Sequence, residues 1–115
     1  MKVFDDDLLW EFRRKRTCEY CKHPLHYYAH PHHVHSRGAG RVDISCNLIA
    51  LGAAFDCNCH GRVHSGSIER MEILTIVARR EGKTIEEIEQ EVWRLRRADK
   101  TEPLHPCSAP PLAPL

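Results

Sequence analysis

Residues 18–64 run CEYCKHPLHYYAHPHHVHSRGAGRVDISCNLIALGAAFDCNCHGRVH. This stretch holds five of the chain's six cysteines and eight of its nine histidines. It opens on Cys18-x-x-Cys21, a spacing that lets two thiolates reach one tetrahedral ion, usually Zn²⁺. The alternatives are two free thiols on a turn, or a redox pair. A redox CxxC normally opens a helix after a strand. Here a basic segment precedes the pair and Pro24 follows it, which favours zinc. Two further ligands are expected from Cys57 and Cys59, with Cys46 in reserve and Cys107 unliganded.

His60 and His64 stand at i and i+4, where two imidazoles on one helical turn can grip a single ion. They do not complete a Cys2His2 zinc finger with Cys18 and Cys21. His60 follows Cys21 by 39 positions, against about 13 in that finger. Two separate metal sites fit better. In His32-His33, one ring can bind metal while its neighbour turns to a water as general base. Taken alone, the doublet also reads as a polar, histidine-rich loop.

Outward from this stretch the chain is ordinary. It has 115 residues, 42% hydrophobic and 29% charged, enough for one domain. Seventeen basic against sixteen acidic residues leave a net charge of +1, so bulk charge indicates no partner. Nothing approaches the roughly 18 apolar residues of a membrane span. The start, MKVFDDDLLW, puts three Asp where a secretory signal needs an apolar run. A reducing, cytoplasmic setting follows, in which such cysteines serve as metal ligands rather than disulfides.

Residues 5–16 place acids first and bases last, the order a helix dipole favours, with Leu8, Leu9 and Phe12 on one side. Residues 17–35 carry no period and read as loop. Ser36–Gly40 is a turn signal. Val42–Ile44 and Leu48–Leu51 are the expected strands, Gly52–Cys59 a second loop, and His60–His64 one helical turn. Ser67 is the expected cap of a helix to about Glu81, with Met71, Leu74 and Val77 or Ala78 inward and Gly82 as its stop. Thr84 and Glu87 form a capping box for a last helix to about Asp99, whose stripe is Ile85, Ile88, Val92 and Leu95. From residue 101 the chain is proline-rich and reads as an extended tail. There is no internal repeat.

Taken together, these pieces resemble the HNH endonuclease family, the ββα-metal nucleases. The family pattern is a CxxC, a doublet ending in His, a glycine loop, Asn-Leu-Ile-x-Leu, then Cys-His-x-x-x-His. Here the pieces are CEYC at 18–21, HH at 32–33, RGAG at 37–40, NLIAL at 47–51 and CHGRVH at 59–64, within residues 17–65. The small cysteine-framed form is similar to those common in phages and prophages.

The resemblance implies an α+β fold. Its ββα-metal core, braced by zinc, would be flanked by an N-terminal and two C-terminal helices over residues 1–100. It also implies roles. His33 would be the general base, and His32, His60 and His64 the ligands of a catalytic ion. Asn47 would hold the loop that bears His33, and Arg37 would meet the scissile phosphate. The chain departs from the pattern in the second half. Cys59 follows Asn47 by 12 positions, the pair is CxC rather than CxxC, and GAAFD is an insertion. Arg41 stands where the family often has Gly.

The implied activity is hydrolysis of DNA phosphodiesters with one metal ion. Three neutral imidazoles leave an ion its full charge and favour Mn²⁺, Ni²⁺ or Co²⁺, with Mg²⁺ also admitted. Arg37, Arg41 and Arg62 are the expected DNA contacts. Arg13, Arg14, Lys15 and Arg16 read equally as phosphate contacts or a solvated helix end. Arg94, Arg96 and Arg97 read as a solvated face. One site without a second copy implies a monomer that mainly nicks, unless a weak dimer forms on DNA. The rival class is a zinc-binding module for DNA or protein without activity.

Overall fold

The structure, a computed structural model, describes residues 4–35 and 40–100. Among these residues, four helices and a two-stranded antiparallel sheet make an α+β fold. Helix α1 spans Asp6–Arg13. The Asp5 carboxylate caps it, accepting from Leu8 N at 3.1 Å. It ends before residue 16 because the chain tightens and turns back. Lys15 N donates to Phe12 O, and Leu25 N then donates to Arg16 O. Phe12 is buried, with Leu8 and Leu9 packed beside it.

Strand β2, Leu48–Leu51, forms where expected and is buried along its whole length. Its partner is not Val42–Ile44. That segment is irregular and leads into a 3₁₀ turn at Ser45–Asn47. The partner is β1, His30–His33, inside the stretch read as loop. The register sets His30 against Leu51 and His33 against Leu48. β1 escapes sequence reading because HPHH carries no apolar alternation.

Helix α2, Cys59–Ser65, ends at Gly66, whose φ of 90° only glycine adopts without strain. Helix α3, Arg70–Glu81, starts later than Ser67 predicts. Glu69 is its cap, in a reciprocal box with Glu72. Met71 is 56% exposed, and the buried face is Ile73, Leu74 and Val77 instead. Gly82 stops α3 in the left-handed region, as expected. Helix α4 runs Ile85–Lys100. Its box is formed: Thr84 N donates to Glu87 Oε1 and Glu87 N to Thr84 Oγ1, at 2.9 and 3.0 Å. Ile88, Val92 and Leu95 are buried. Ile44 packs against both the main core and the smaller cluster of Val42, Val92 and Leu95. Among the described residues no helix is long and apolar enough to cross a membrane. The expected turn at 36–39, with Arg37, and the tail with Cys107 lie outside the described residues.

One side chain ties these elements together. Arg80 of α3 donates to the Ser45 and Leu48 carbonyls at 2.6 and 3.0 Å. It pairs with Glu19 at 2.6 Å and Glu81 at 2.9 Å, and lies 5.1 Å from the Phe12 ring centroid. Glu19 in turn exchanges hydrogen bonds with Ala50 of β2. A planar fork with five donors can serve all these acceptors, whereas an ammonium cannot. Arg80→Ala is therefore expected to cost about 2–3 kcal/mol, since it leaves half-buried acceptors and a carboxylate unpaired. Arg80→Lys should recover less than half of that. Denaturant unfolding of both variants measures the difference.

Candidate metal centres

Two donor clusters form. The first is Cys18, Cys21, Cys57 and Cys59, with sulfurs all within 4.8 Å of one another. Cys18 and Cys21 flank a tight turn in which Lys22 N donates to Cys18 O and Cys18 N to His23 O. Lys22 closes that turn with a φ of 67°. On the other side Asn58 sits in the left-handed region, φ 57° and ψ 29°. That single residue reverses the chain, so Cys57 and Cys59 face one point although only one residue separates them.

The thiols are electrostatically divided. Burial pushes Cys18 up, but N–H donors from Cys21, Gly52 and Tyr20 hold it below the ordinary thiol range. Burial pushes Cys57 and Cys59 up, and the neighbouring sulfurs raise Cys59 further. Four thiolates this close repel unless a cation neutralises them. Four sulfurs are the ligand set of a structural zinc site, and this cluster could hold one. Cys46, the reserve ligand, is buried in the apolar core and takes no part.

The second cluster is His32, His60 and His64, with ring nitrogens also within 4.8 Å of one another. His60 and His64 project from one face of α2, Nε2 to Nε2 at 3.0 Å. Two nitrogens about 2.1 Å from one ion lie about 3 Å apart at a right angle, so the spacing suits a shared cation. Burial, reinforced by neighbouring imidazoles, pushes both His32 and His60 down to about 4. Both are therefore neutral at pH 7, the state a metal requires. This cluster, like the first, could hold a metal.

His33 is turned elsewhere. Successive side chains of a strand point to opposite faces, so His32 meets α2 while His33 meets Asp43. His33 Nε2 lies 2.7 Å from Asp43 Oδ1, and the Asp43 side chain is fully buried. Burial alone would raise the Asp43 carboxyl. The Arg41 guanidinium, the Asp5 N–H and His33 outweigh it and hold the carboxyl below its usual range. An ionised carboxylate only accepts, so Nε2 is the donor in this hydrogen bond. Asn47, also fully buried, stitches the two ends of the intervening loop together. Its Oδ1 accepts from His35 N and its Nδ2 donates to Val42 O, both at 2.9 Å.

His32, His33, His60 and His64 line one cleft of about 650 Å³, together with His30, Arg13, Arg41 and Arg70. Arg41 thus lies at the cleft, but its guanidinium is already paired with Asp43 at 2.6 Å and stands over the Phe4 ring. Arg62 is exposed on α2 and does not line the cleft; it lies near the Tyr20–Glu72 hydrogen bond. Three residues were missed from the sequence: His30, Arg70 and Asp43. His30 stacks on His60 with centroids 3.8 Å apart. Asp43 left one signal, a lone acid between Val42 and Ile44. No family model, curated protein or solved structure matches this chain.

Gly52 gives the cysteine cluster a sharp test. It is buried at the end of β2, and its carbonyl accepts from His60 N at 3.1 Å. A Cβ there would collide with Cys57 Sγ and press within 3.0 Å of Leu25. Gly52→Ala should therefore lower zinc affinity at least tenfold and lower the thermal midpoint, because the sulfur must move out of the cluster. Zinc competition with a chromophoric chelator reads the first effect, and calorimetry of the loaded protein the second. Equal zinc affinity in the variant and the wild type would show that the four sulfurs do not share an ion.

Proposed function

We propose that the chain is a metal-dependent DNA endonuclease of the HNH type, with β1, β2 and α2 as its ββα-metal core. One observation carries the reading: a three-histidine donor cluster and a separate carboxylate-oriented histidine share one cleft. A binding module needs no second histidine beside a ligand, still less a buried Asp–Arg pair to orient it.

In this reading His32, His60 and His64 hold a divalent ion, Mn²⁺, Ni²⁺ or Co²⁺ before Mg²⁺, which supplies positive charge at the phosphate. His33 Nδ1 takes a proton from the attacking water. The Asp43 carboxylate fixes the His33 tautomer and stabilises the cation formed when that proton arrives, as an orienting acid does for a general base. Asn47 keeps the loop of His33 in register. Arg13 and Arg70, at the cleft and exposed, are available to phosphates flanking the scissile one. Cys18, Cys21, Cys57 and Cys59 hold the structural zinc that sets the start of α2. The cleft has one base and one ligand set, so a monomer cuts one strand at a time.

Supercoiled plasmid incubated with Mn²⁺ is expected to pass to open circle first and to linear late, and EDTA to abolish both. His33→Ala should slow nicking by roughly 10²–10⁴ with metal still bound. Asp43→Asn should slow it by roughly 10–100. His60→Ala should lose the metal itself, read by titration calorimetry. A plasmid left intact with every divalent ion leaves the non-catalytic zinc module as the answer. Linear product rising together with open circle from the earliest times would mean a paired enzyme.

A further inference from the structure

Four large aromatic side chains on α1 and the cysteine-rich loops stand in water. Trp10 is 46% exposed, Tyr27 and Tyr28 each 58%, and Phe55 83%. They form two tilted pairs, Trp10 with Tyr28 at 5.5 Å and Tyr27 with Phe55 at 5.8 Å between centroids. Tyr27 and Tyr28 are adjacent in sequence, so one loop carries a ring of each pair. Phe55 belongs to the GAAFD insertion, the segment the HNH resemblance leaves unexplained.

Leaving four rings in water is unfavourable unless something covers them. The structure also holds them in place. The Asp56 carboxylate accepts from His26 N at 2.8 Å and Tyr27 N at 3.1 Å, which clamps the tyrosine loop to the insertion. The same loop lies along a basic segment. Leu25 N donates to Arg16 O at 2.8 Å and Ala29 N to Arg13 O at 3.0 Å. Arg13, Arg14 and Arg16 are exposed, and no carboxylate among the described residues pairs with them. Arg13 also lines the cleft.

Preset rings beside unpaired guanidinium groups match one kind of polymer. Rings receive base faces and cations receive phosphates, without regard to sequence. In a duplex those base faces are hidden by stacking, so the complementary ligand is an unpaired strand. An aliphatic partner surface or a lipid tail would not call for rings beside cations.

We propose that Trp10, Tyr27, Tyr28 and Phe55, with the exposed arginines of residues 13–16, form a stacking platform for single-stranded DNA that leads to the cleft. The inference rests on the nucleic-acid part of the proposed function and sharpens it. The enzyme would act where a duplex is opened, at a fork, gap or flap, and the platform would hold the unpaired strand.

The test uses the full chain, loaded with zinc and kept in Ca²⁺ without a transition metal. Its probes are a fluorescein-labelled 20-residue oligothymidylate and a 20-base-pair duplex, read by anisotropy. The wild type is expected to bind the single strand at least tenfold more tightly than the duplex. Tyr27→Ser with Phe55→Ser should weaken single-strand binding by roughly 10–100-fold, the loss of one or two stacked bases. Both rings are exposed, so its zinc content and circular dichroism should match the wild type. Trp93→Ser, which removes an exposed ring on α4, should bind like the wild type. Equal binding by the double variant and the wild type overturns the platform, whether or not plasmid is nicked. Selective loss in the double variant supports it, again whether or not plasmid is nicked. A concentration-dependent dimer in sedimentation that the double variant abolishes also overturns it, because the rings would then cover a second copy.

Discussion

Everything in this fold depends on bringing residues 18–21 against residues 57–59. Two four-residue strands and a seven-residue helix cannot define a site by their own hydrogen bonds. The cysteine cluster supplies the missing constraint. With an ion bound it would clamp the chain before β1 to the chain after β2, at the end of the sheet where His30 faces Leu51. It also fixes Cys59, the first residue of α2, and therefore the heading of the helix. His60 and His64 face His32 because that heading is set. Cys18 and Cys59 are buried and Cys21 and Cys57 half-buried, and a cation among the four sulfurs would offset the repulsion of their thiolates. The two donor clusters thus meet at the start of α2, where Cys59 and His60 are neighbours.

Much of this was legible in the sequence, and the reasons differ by element. Gly82, the Thr84–Glu87 box and the stripe of Ile88, Val92 and Leu95 were readable because helix signals are local. The apolar run Leu48–Leu51 was readable for the same reason. Both donor clusters were readable because a metal site demands particular atoms at short spacing. What failed depended on distant partners. β1 has no apolar alternation, because His30 and His32 face a cleft and His33 a buried carboxylate. Val42–Ile44 has strand composition but is buried among Val92 and Leu95 of α4 instead of pairing. Met71 lies on the expected stripe by spacing alone, yet in the first turn of α3 it is exposed, and Ile73 is buried beside Leu74 and Val77 instead. Arg80 and Asp43 were invisible because their importance lies in what other segments bring to them.

The doublet His32-His33 shows how little sequence is needed to separate two jobs. Strand alternation sends one ring to α2 and the next to Asp43. Had these residues been helical, they would lie about 100° apart on one surface and compete for the same ligand. The strand is therefore what keeps the two rings apart. Histidines stand here where β-branched residues would stabilise the sheet better. The lost sheet stability is offset on the other side by β2, which is apolar and buried at every position.

Asp43 carries the opposite cost. Taking a carboxylate fully out of water is unfavourable by several kcal/mol, and a residue of similar size without charge would avoid it. The chain supplies compensation from three directions: the Arg41 guanidinium, the Asp5 N–H at 2.8 Å, and His33. Arg41 in turn leans on Asp6 and the Phe4 ring. The start of α1, whose first residues look like an ordinary acidic cap, is thereby bound to the loop that orients His33. If stability were the only requirement, an apolar residue between Val42 and Ile44 would merge with the smaller core and leave Arg41 free for solvent. The buried charge holds Nε2 of His33, a ring that lines the same cleft as His32, His60 and His64.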